Sequence, residues 1–333
     1  MNARTLSIEE LHPTIVVTLG DPAGVGAEVT LKALADPAIQ SSARFIILGD
    51  YAAVAAAEQC TGIRLDTLAV EFRDCHTLAA DTPIAMGMLR ADYGAAAVRY
   101  VHDGTLMCLR GEADAMVTAP LNKEAVTLTG MHFTGHTEYI AELCKAADSR
   151  MLLAGQRLSV VHVSTHISLR EACNLDTARI IRTIELGDEA MKLLGKPRPR
   201  VAVCGLNPHA GEHGLFGTED ERFILPAVEA CRGRGIDCEG PVAPDTIFLR
   251  AANGSHDLIV AMYHDQGHIP MKLLDFEATV NMSLGIPILR TSVDHGTAFD
   301  IAGKNMAGAA NMKAAIRMAV TMARHRLQHA VTV

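Results

Sequence analysis

The sequence predicts an α/β fold in which parallel strands are covered by helices on both faces. Apolar runs of strand length alternate with longer segments of helical period, which is the pattern of βαβ units. Most of these runs are rich in β-branched residues and apolar on both faces, as expected of buried parallel strands. We predict strands at Ile15–Leu19, Phe45–Leu48, Ala115–Thr118, Leu158–Val163, Val201–Gly205 and Leu258–Met262.

Two segments carry strong helix signals. In Asp176–Leu194, apolar residues recur every three to four positions, Asp176 can cap the first turn, and Gly195 and Pro197 end the pattern. The segment Asn311–Leu327 shows the same apolar spacing. Neither a repeat nor a low-complexity linker marks a domain boundary.

Composition excludes several classes of protein. The 333 residues are 49% hydrophobic, so a full core can be buried in one large body or two domains. A net charge of −8, an aromatic content of 4% and no Trp argue against a nucleic-acid partner. No apolar run is long enough to span a membrane, and the acidic start does not resemble a signal peptide. We therefore expect a cytoplasmic enzyme without a membrane partner.

The eight cysteines lie far apart and form no CxxC pair. A chain of this length does not need disulfides to stabilise its fold. We expect reduced and mostly buried thiols.

A glycine-rich loop follows the first predicted strand. Gly20, Gly24 and Gly26 lie in the segment GDPAGVGAEV, which matches neither G-x-G-x-x-G nor a Walker A loop. Two interpretations stay open. The glycines permit a tight turn that lets strand and helix pack closely, or the loop lines a ligand cleft.

Three histidines, His166, His209 and His264, each follow the end of a predicted strand. In open α/β sheets, ligands bind outside the carboxyl ends of the strands. Neutral imidazoles suit Zn²⁺ or Co²⁺ better than Mg²⁺, although Mg²⁺ stays possible. Three protein ligands leave positions open for a substrate. The pattern predicts a catalytic site for one divalent metal ion.

His268 lies four residues after His264 and could share its ion if the segment were helical. Gly267 and Pro270 argue against a regular helix here. We therefore predict that His268 supports the site without binding the metal, and we treat His162 and His295 with the same caution.

Further residues indicate an anionic substrate. His136 and Thr137 lie in the polar segment TGHTE, and Lys272, Asn281 and Arg290 supply two cations and an amide. Arg290 follows the apolar run GIPIL, so we expect it at the end of a strand. Such groups together favour a small, phosphorylated substrate.

Motifs along nearly the whole chain resemble the 4-hydroxythreonine-4-phosphate dehydrogenase family, which belongs to an isocitrate/isopropylmalate dehydrogenase-like group. The motifs run in order from Gly20 to Gly303. They are GDPAGVGAE, TAPLNKEAV, GHTE, HVSTHISLRE, GLNPHAGE, PDTIF, YHDQGHIPMK and TSVDHGTAFDIAG.

The resemblance implies a fold and an activity. The expected architecture is isopropylmalate dehydrogenase-like, with two α/β/α domains, mixed and mostly parallel sheets, and an interdomain active-site cleft. Residues 1–133 and 290–333 would form the nucleotide-side domain, and residues 134–289 the metal and dimerisation domain. The implied reaction is an NAD- or NADP-dependent oxidation of a phosphorylated 3-hydroxy acid, followed by decarboxylation. The family works as a homodimer with shared active sites, so that His264 would reach the partner's metal.

The resemblance also assigns roles by motif. The implied metal ligands are His166, His209 and His264. The implied substrate-binding residues are His136, Thr137, Lys272, Asn281 and Arg290, with Lys272 also a candidate for catalytic proton transfer. The implied cofactor-binding residues are His295, Gly296, Thr297 and Asp300.

Alternatives stay open within and beyond the family. HVSTHISLRE, EHGLFGTEDE and HDQGHIPMKLLDF look closer to a subgroup acting on 4-phospho-D-threonate or 4-phospho-D-erythronate than to the enzyme of pyridoxine biosynthesis. A terephthalate dihydrodiol dehydrogenase fits less well, because that branch binds no phosphate. A metal-dependent hydrolase or lyase would not need the DHGTAFDIAG loop, and a non-catalytic metal-binding protein would leave the anion-binding residues unexplained.

Overall fold

The computed structural model describes residues 8–275 and 278–332. Each of the six predicted strands is confirmed to within one residue at either end. In chain order the strands are β1 Thr14–Thr18, β2 Arg44–Gly49, β3 Val70–Asp74, β4 Ala115–Thr118, β5 Arg150–Ala154, β6 Ser159–His162, β7 Val201–Cys204, β8 Cys238–Val242, β9 Leu258–Ala261, β10 Val280–Leu284 and β11 Arg290–Val293.

The helices occupy the segments between these strands and the C-terminal region. They are α1 Gly26–Leu34, α2 Pro37–Gln40, α3 Tyr51–Thr61, α4 Ala91–Leu109, α5 Lys123–Thr127, α6 His136–Leu143, α7 Leu169–Ala172, α8 Thr177–Leu193, α9 Leu225–Gly233, α10 Pro244–Ala252, α11 His264–Leu274 and α12 Ala310–Thr332. Both predicted helices are confirmed as α8 and α12. The Asp176 side chain caps α8 by accepting a hydrogen bond from the backbone N–H of Ala178.

The chain forms two compact units. The first unit comprises Met1–Ser149 and Ile286–Val333, and the second comprises Arg150–Gly285. These junctions differ from the predicted boundaries, so that His136 and Thr137 belong to the first unit. The division into nucleotide-side and metal-binding domains stays a prediction.

The first unit contains an all-parallel set of strands in the order β3-β2-β1-β4-β11. The order reverses between β1 and β4, because successive strands are added to opposite sides of β1. The loops that follow these two strands therefore diverge, which opens the crevice where α/β sheets bind ligands.

The second unit contains a mixed set of strands in the order β10-β5-β6-β9-β7-β8. Pairing is antiparallel from β10 through β5 to β6, and parallel from β6 through β9 and β7 to β8. Since β6, β9 and β7 are adjacent and parallel, their carboxyl ends lie at one edge. These are the strands that precede His166, His264 and His209.

The expectation that Gly267 and Pro270 prevent a helix is wrong, because α11 contains both residues. Pro270 removes one backbone donor, but contacts outside the helix offset this loss. The buried side chain of Gln266 hydrogen-bonds to two backbone groups from neighbouring segments. Gly267 lets the helix approach His162, since a Cβ at this position would lie 2.2 Å from the His162 Nε2 atom.

The expectation that Arg290 ends a strand is also wrong. Arg290 is the first residue of β11, and the apolar run before it forms a turn in which Ile288 and Leu289 are buried. The apolar residues of this run therefore indicate that the segment is buried, and they do not indicate a strand. Because Arg290 lies at the amino end of β11, only the length of its side chain can bring the guanidinium toward the carboxyl end of the sheet.

Two expectations from composition can also be compared with the structure. All eight cysteines are free thiols, but three of them are buried, four are partly buried and Cys173 is exposed, so the expectation of mostly buried thiols is wrong. Among the described residues, no helix combines the length and apolar content needed to cross a bilayer.

Candidate active site

A buried arginine organises the predicted anion-binding residues of the first unit. The Arg290 side chain, 3% exposed, extends from β11 to the last residue of β4. Its Nη2 and Nε atoms donate to the Thr118 Oγ1 atom at 2.7 and 3.2 Å, and its Nη1 atom donates to the Thr137 Oγ1 atom at 3.4 Å. Burial lowers the pKa of Arg290 to about 10, and Glu138 opposes the shift. The guanidinium therefore stays charged at neutral pH.

His136 lies beside this guanidinium at the start of α6. Burial lowers the pKa of His136 well below its usual value, and the charges of Arg290 and Lys123 lower it further. Its Nε2 atom is buried without a hydrogen-bond partner among the described residues. Because a helix N-terminus attracts anions, this position offers a neutral imidazole and backbone N–H groups to a phosphate. We call Arg290, Thr118, His136 and Thr137 the anion cluster.

Lys123 is a cation that the sequence analysis did not single out. It begins α5, and its Nζ atom would lie 3.6 Å from a Cβ built on Gly135, directly before His136. Its only sequence signal is its place in the motif TAPLNKEAV. Its position adds positive charge to the anion cluster.

Asp21, in the glycine loop after β1, was also missed. The carboxyl group is 1% exposed, and its Oδ1 atom accepts a hydrogen bond from the Ala23 N–H at 2.9 Å. Its Oδ2 atom has no partner among the described residues. Burial raises the pKa of Asp21 to about 6, although backbone N–H groups of Ala23 and Asn122 oppose the shift. This carboxyl group lies where the strand order reverses.

The glycine loop fits the tight-turn interpretation. Gly20 has φ +69°, and a Cβ there would lie 2.2 Å from the carbonyl oxygen of Pro120. The loop also contacts the predicted nucleotide segment. The Val25 N–H donates to the carbonyl oxygen of Thr297 at 3.0 Å, and a Cβ on Gly24 would lie 3.0 Å from that oxygen.

The other predicted nucleotide residues lie nearby in sequence. His295 has a buried Nε2 atom without a partner among the described residues, whereas Gly296 and Asp300 are exposed. A buried, unsatisfied ring nitrogen and an exposed glycine are compatible with a ligand contact. The cofactor role of these residues stays a prediction.

Two of the three predicted metal ligands come together in the second unit. The rings of His166 and His264 are 5.9 Å apart between centroids and line a pocket of about 310 Å³. The His264 Nδ1 atom lies 2.7 Å from the Asp265 Oδ1 atom. With the proton on Nδ1, this contact leaves the lone pair of Nε2 for a metal, as in many carboxylate–histidine–metal sites.

His209 lies apart from this pair. It lines a different pocket of about 450 Å³ with Glu212, His213 and Glu221. Across residues 8–275 and 278–332, no three His, Cys, Asp or Glu side chains are close enough to hold one ion. The donor chemistry of the three histidines fits a zinc-type ion, but a single chain brings only two of them together.

Two further histidines support His264. His268 stacks on the His264 ring with centroids 3.6 Å apart and planes 11° apart, and its Nδ1 atom lies 3.1 Å from the His264 carbonyl oxygen. His162, 1% exposed, lies 4.6 Å from His268 between ring centroids. Burial, followed by the nearby His268, lowers the pKa of His162 to about 3. We call His166, His264, His268 and His162 the histidine cluster.

The remaining predicted substrate residues also lie in the second unit. Lys272 is partly buried on α11, and Asn281 lies on β10 opposite Leu153 of β5. The Asn281 Oδ1 atom is buried without a partner in the described part of the chain. The predicted substrate residues are thus divided between the two units.

Known proteins share this sequence and fold. A D-threonate 4-phosphate dehydrogenase of Salmonella typhimurium is 43% identical over 93% of this chain and 99% of its own length. A 4-hydroxythreonine-4-phosphate dehydrogenase of Geobacter metallireducens is 44% identical over 94% of this chain and 96% of its own. The crystal structure of 4-hydroxythreonine-4-phosphate dehydrogenase from Klebsiella pneumoniae matches with a TM-score of 0.84 at 40% identity, covering 94% of this chain and 99% of that one.

These relatives are named dehydrogenases, and this chain is accordingly an oxidoreductase. The family model described as pyridoxal phosphate biosynthetic protein PdxA matches residues 30–319. The chain therefore belongs to the PdxA family.

Proposed function

We propose that this protein oxidises the 3-hydroxyl group of a small phosphorylated hydroxy acid with NAD or NADP and a divalent metal ion, and decarboxylates the product. The substrates in the names of its relatives, 4-hydroxythreonine 4-phosphate and D-threonate 4-phosphate, are the leading candidates. The observation that carries the proposal is the buried guanidinium of Arg290 beside the neutral imidazole of His136.

A phosphate requires several fixed donors to replace its hydration shell. Thr118 fixes the Arg290 guanidinium, and the start of α6 adds His136 and Thr137. We assign Lys272 and Asn281 as further substrate-binding residues. An unphosphorylated substrate would lack the oxygens that the donors of the anion cluster bind in this proposal, so the phosphate is a specificity determinant.

We assign His166, His209 and His264 as metal ligands, with Zn²⁺ or Co²⁺ favoured because all three donors are imidazoles. We further propose a homodimer in which His264 of one chain completes the site formed by His166 and His209 of its partner. The described residues of one chain do not bring all three histidines together, which supports a shared site. The choice of His264 as the shared ligand rests on the family resemblance, because within one chain His264 lies beside His166. A bound metal ion would polarise the hydroxyl group and stabilise negative charge, and a bound nicotinamide would accept the hydride.

Side chains of the protein must transfer the protons of the oxidation and of the decarboxylation. The hydroxyl proton leaves during oxidation, and a proton must reach the carbon that loses CO₂. Lys272 is the candidate for one of these transfers or for phosphate binding. We assign the nicotinamide nucleotide to the loop of His295, Gly296, Thr297 and Asp300, and the protein to the cytoplasm.

The test is NADH formation by the purified protein with 4-hydroxythreonine 4-phosphate, 4-phospho-D-threonate and 4-phospho-D-erythronate. The matched controls are the same compounds without phosphate. We expect NADH with at least one phosphorylated compound, loss of activity on chelation, and recovery with Zn²⁺ or Co²⁺. Activity that survives complete metal removal, or equal activity without the phosphate, would contradict the proposal.

The shared site has a separate test, because two inactive variants should complement each other. Mixed dimers of His209→Ala and His264→Ala chains contain one intact site if His264 acts on the partner's metal. Random exchange should restore roughly one quarter of the wild-type activity. No recovery in dimers that have demonstrably exchanged would place His209 and His264 of each site in the same chain.

A further inference from the structure

The loop that carries His209 has an unusual backbone. His209, Ala210, Gly211, Glu212, His213 and Gly214 all have positive φ, from 42° to 88°. Four of these six residues are not glycine, and L-residues with a side chain adopt this left-handed conformation at a cost. We call residues 209–214 the left-handed turn. Such a turn persists only if its surroundings hold it in place.

One buried carboxylate holds the segment from which this turn starts. Asp220 is fully buried at the beginning of a π-helical turn, Asp220–Ile224. Its Oδ1 atom accepts a hydrogen bond from the Leu206 N–H at 2.8 Å. Its Oδ2 atom accepts from the Asn207 N–H at 3.2 Å and from the Asn207 Nδ2 atom at 2.9 Å. These three bonds fix the two residues that precede Pro208 and His209.

The packing around Asp220 leaves little room for another arrangement. A Cβ on Gly205 would lie 2.6 Å from the Asp220 Oδ1 atom, and a Cβ on Gly211, within the turn, would lie 3.3 Å from Oδ2. The Asp220 carboxylate therefore touches the loop both before His209 and after it. Among the described residues, only Leu206 and Asn207 donate hydrogen bonds to the Asp220 carboxylate.

A carboxylate buried without a cation is unfavourable unless hydrogen bonds replace its lost hydration. In Asp220 those bonds are all made to the backbone and side chain of one short segment. The Asp220 carboxylate thus stabilises the conformation of the loop that carries His209 more directly than it stabilises the hydrophobic core.

We propose that Asp220 is a positioning residue for His209, which orients the imidazole toward the metal without contacting the metal or the substrate. This inference rests on the proposed function, since it requires that His209 is a metal ligand. Residues that orient a ligand in this way commonly affect metal affinity by about 10- to 100-fold.

The test measures Zn²⁺ affinity of the metal-free protein by competition with a chromophoric chelator, independently of activity. Asp220→Asn keeps the volume but places an amide N–H₂ group against a backbone N–H donor. We expect Zn²⁺ binding to weaken about 10- to 100-fold. Excess Zn²⁺ should restore kcat, and amide hydrogen exchange should accelerate in residues 206–214 but not elsewhere in the second unit.

The matched control is Asp188→Asn. Asp188 is also a buried aspartate of the second unit, but it pairs with Lys192 at 2.6 Å on α8. This variant should leave Zn²⁺ affinity unchanged. If Asp220→Asn does not fold, Asn207→Ala removes the side-chain bond to Asp220 together with the bond from Asn207 Nδ2 to Glu219 Oε2, and it should weaken Zn²⁺ binding severalfold.

The variant His209→Ala distinguishes a failure of the role proposed for Asp220 from a failure of the metal assignment of His209. If His209→Ala weakens Zn²⁺ binding but a folded Asp220→Asn does not, the role of Asp220 is overturned while the metal assignment stands. If His209→Ala binds Zn²⁺ as tightly as the wild type, the metal assignment fails and the inference fails with it.

Discussion

In the anion cluster of the first unit, Arg290 and Thr118 are buried and joined by hydrogen bonds, whereas two of the three ligands assigned in the second unit are exposed. Arg290 is 3% exposed and reaches two threonine hydroxyl groups. His166 and His209 are both exposed, and His209 lines a pocket of its own. One chain therefore forms the anion cluster by itself but gathers only part of the proposed metal site. Substrate anchoring should depend on folding alone, and metal binding on assembly as well.

The largest effect is expected from removing a metal ligand. His264→Ala should weaken Zn²⁺ binding by at least about 100-fold and abolish NADH formation, because a catalytic site with three protein ligands does not retain its ion with two. Chelator competition and a steady-state assay would measure both.

The neighbouring His268→Ala is the control for this loss. It removes the stacked ring but not the proposed ligand, so Zn²⁺ affinity should fall by no more than about 10-fold. Equal losses in the two variants would mean that the histidine cluster binds metal through both rings.

Arg290→Ala should raise KM for the phosphorylated substrate by about 100-fold with a smaller change in kcat, because hydrogen bonds to a charged group contribute about 1.5–3 kcal/mol each. Arg64→Ala is the control, since Arg64 forms an exposed pair with Asp66 in the same unit. An unchanged KM for Arg290→Ala would remove the anion cluster from the site.

Asp21→Asn should alter stability in a pH-dependent manner. Since burial raises the pKa of Asp21 from 3.8 to about 6, its ionisation opposes folding, and this penalty appears as pH rises from about 4 through 6. At pH 8 the penalty reaches at most about 3 kcal/mol. The amide should therefore raise the free energy of unfolding at pH 8 and leave it nearly unchanged at pH 4.

Denaturant unfolding of the wild type and the variant at these two pH values would measure the difference. A difference that does not change with pH would show that Asp21 is not a buried carboxylate with a raised pKa.

The smallest effect is expected for Thr118→Val. This change removes the hydroxyl group that accepts two Arg290 hydrogen bonds but keeps the shape of the side chain. KM should rise about 3- to 10-fold, corresponding to about 1 kcal/mol. Thr321→Val on α12, whose hydroxyl group donates only to the Arg317 carbonyl oxygen, should leave KM unchanged. Identical KM values for the two variants would mean that Arg290 does not depend on Thr118.

The sequence alone predicts an element correctly where a single local property, such as hydrophobicity or a cap, determines that element. Parallel strands buried on both faces are continuous apolar runs, so Ala115–Thr118 was located without error. The capping of α8 by Asp176 followed from a local hydrogen bond. The positions of His166, His209 and His264 after adjacent parallel strands followed from the same periodicity.

Elsewhere the outcome depended on contacts distant in sequence. Arg290 was assigned to the wrong end of its strand because a buried turn and a buried strand share the same composition. The helix through Pro270 depends on Gln266 and on the close approach to His162, neither of which leaves a local pattern. Asp220 accepts two of its three hydrogen bonds from the backbone N–H groups of residues 206 and 207, which any residue except proline supplies, and the third from the Asn207 side chain. No local motif could have marked it.

The first unit is built from two stretches of chain, with the whole second unit between them. During synthesis β4 emerges long before β11, the strand that pairs with it. At about 5–20 residues per second, the ribosome needs roughly 10–30 s to pass from Thr118 to Arg290. For that interval one edge of β4 lacks its neighbour, and Thr118 lacks the guanidinium that it binds. The proposed substrate anchor is thus among the last parts of the nascent protein to form, so a truncated chain can fold much of its scaffold before Arg290 joins Thr118.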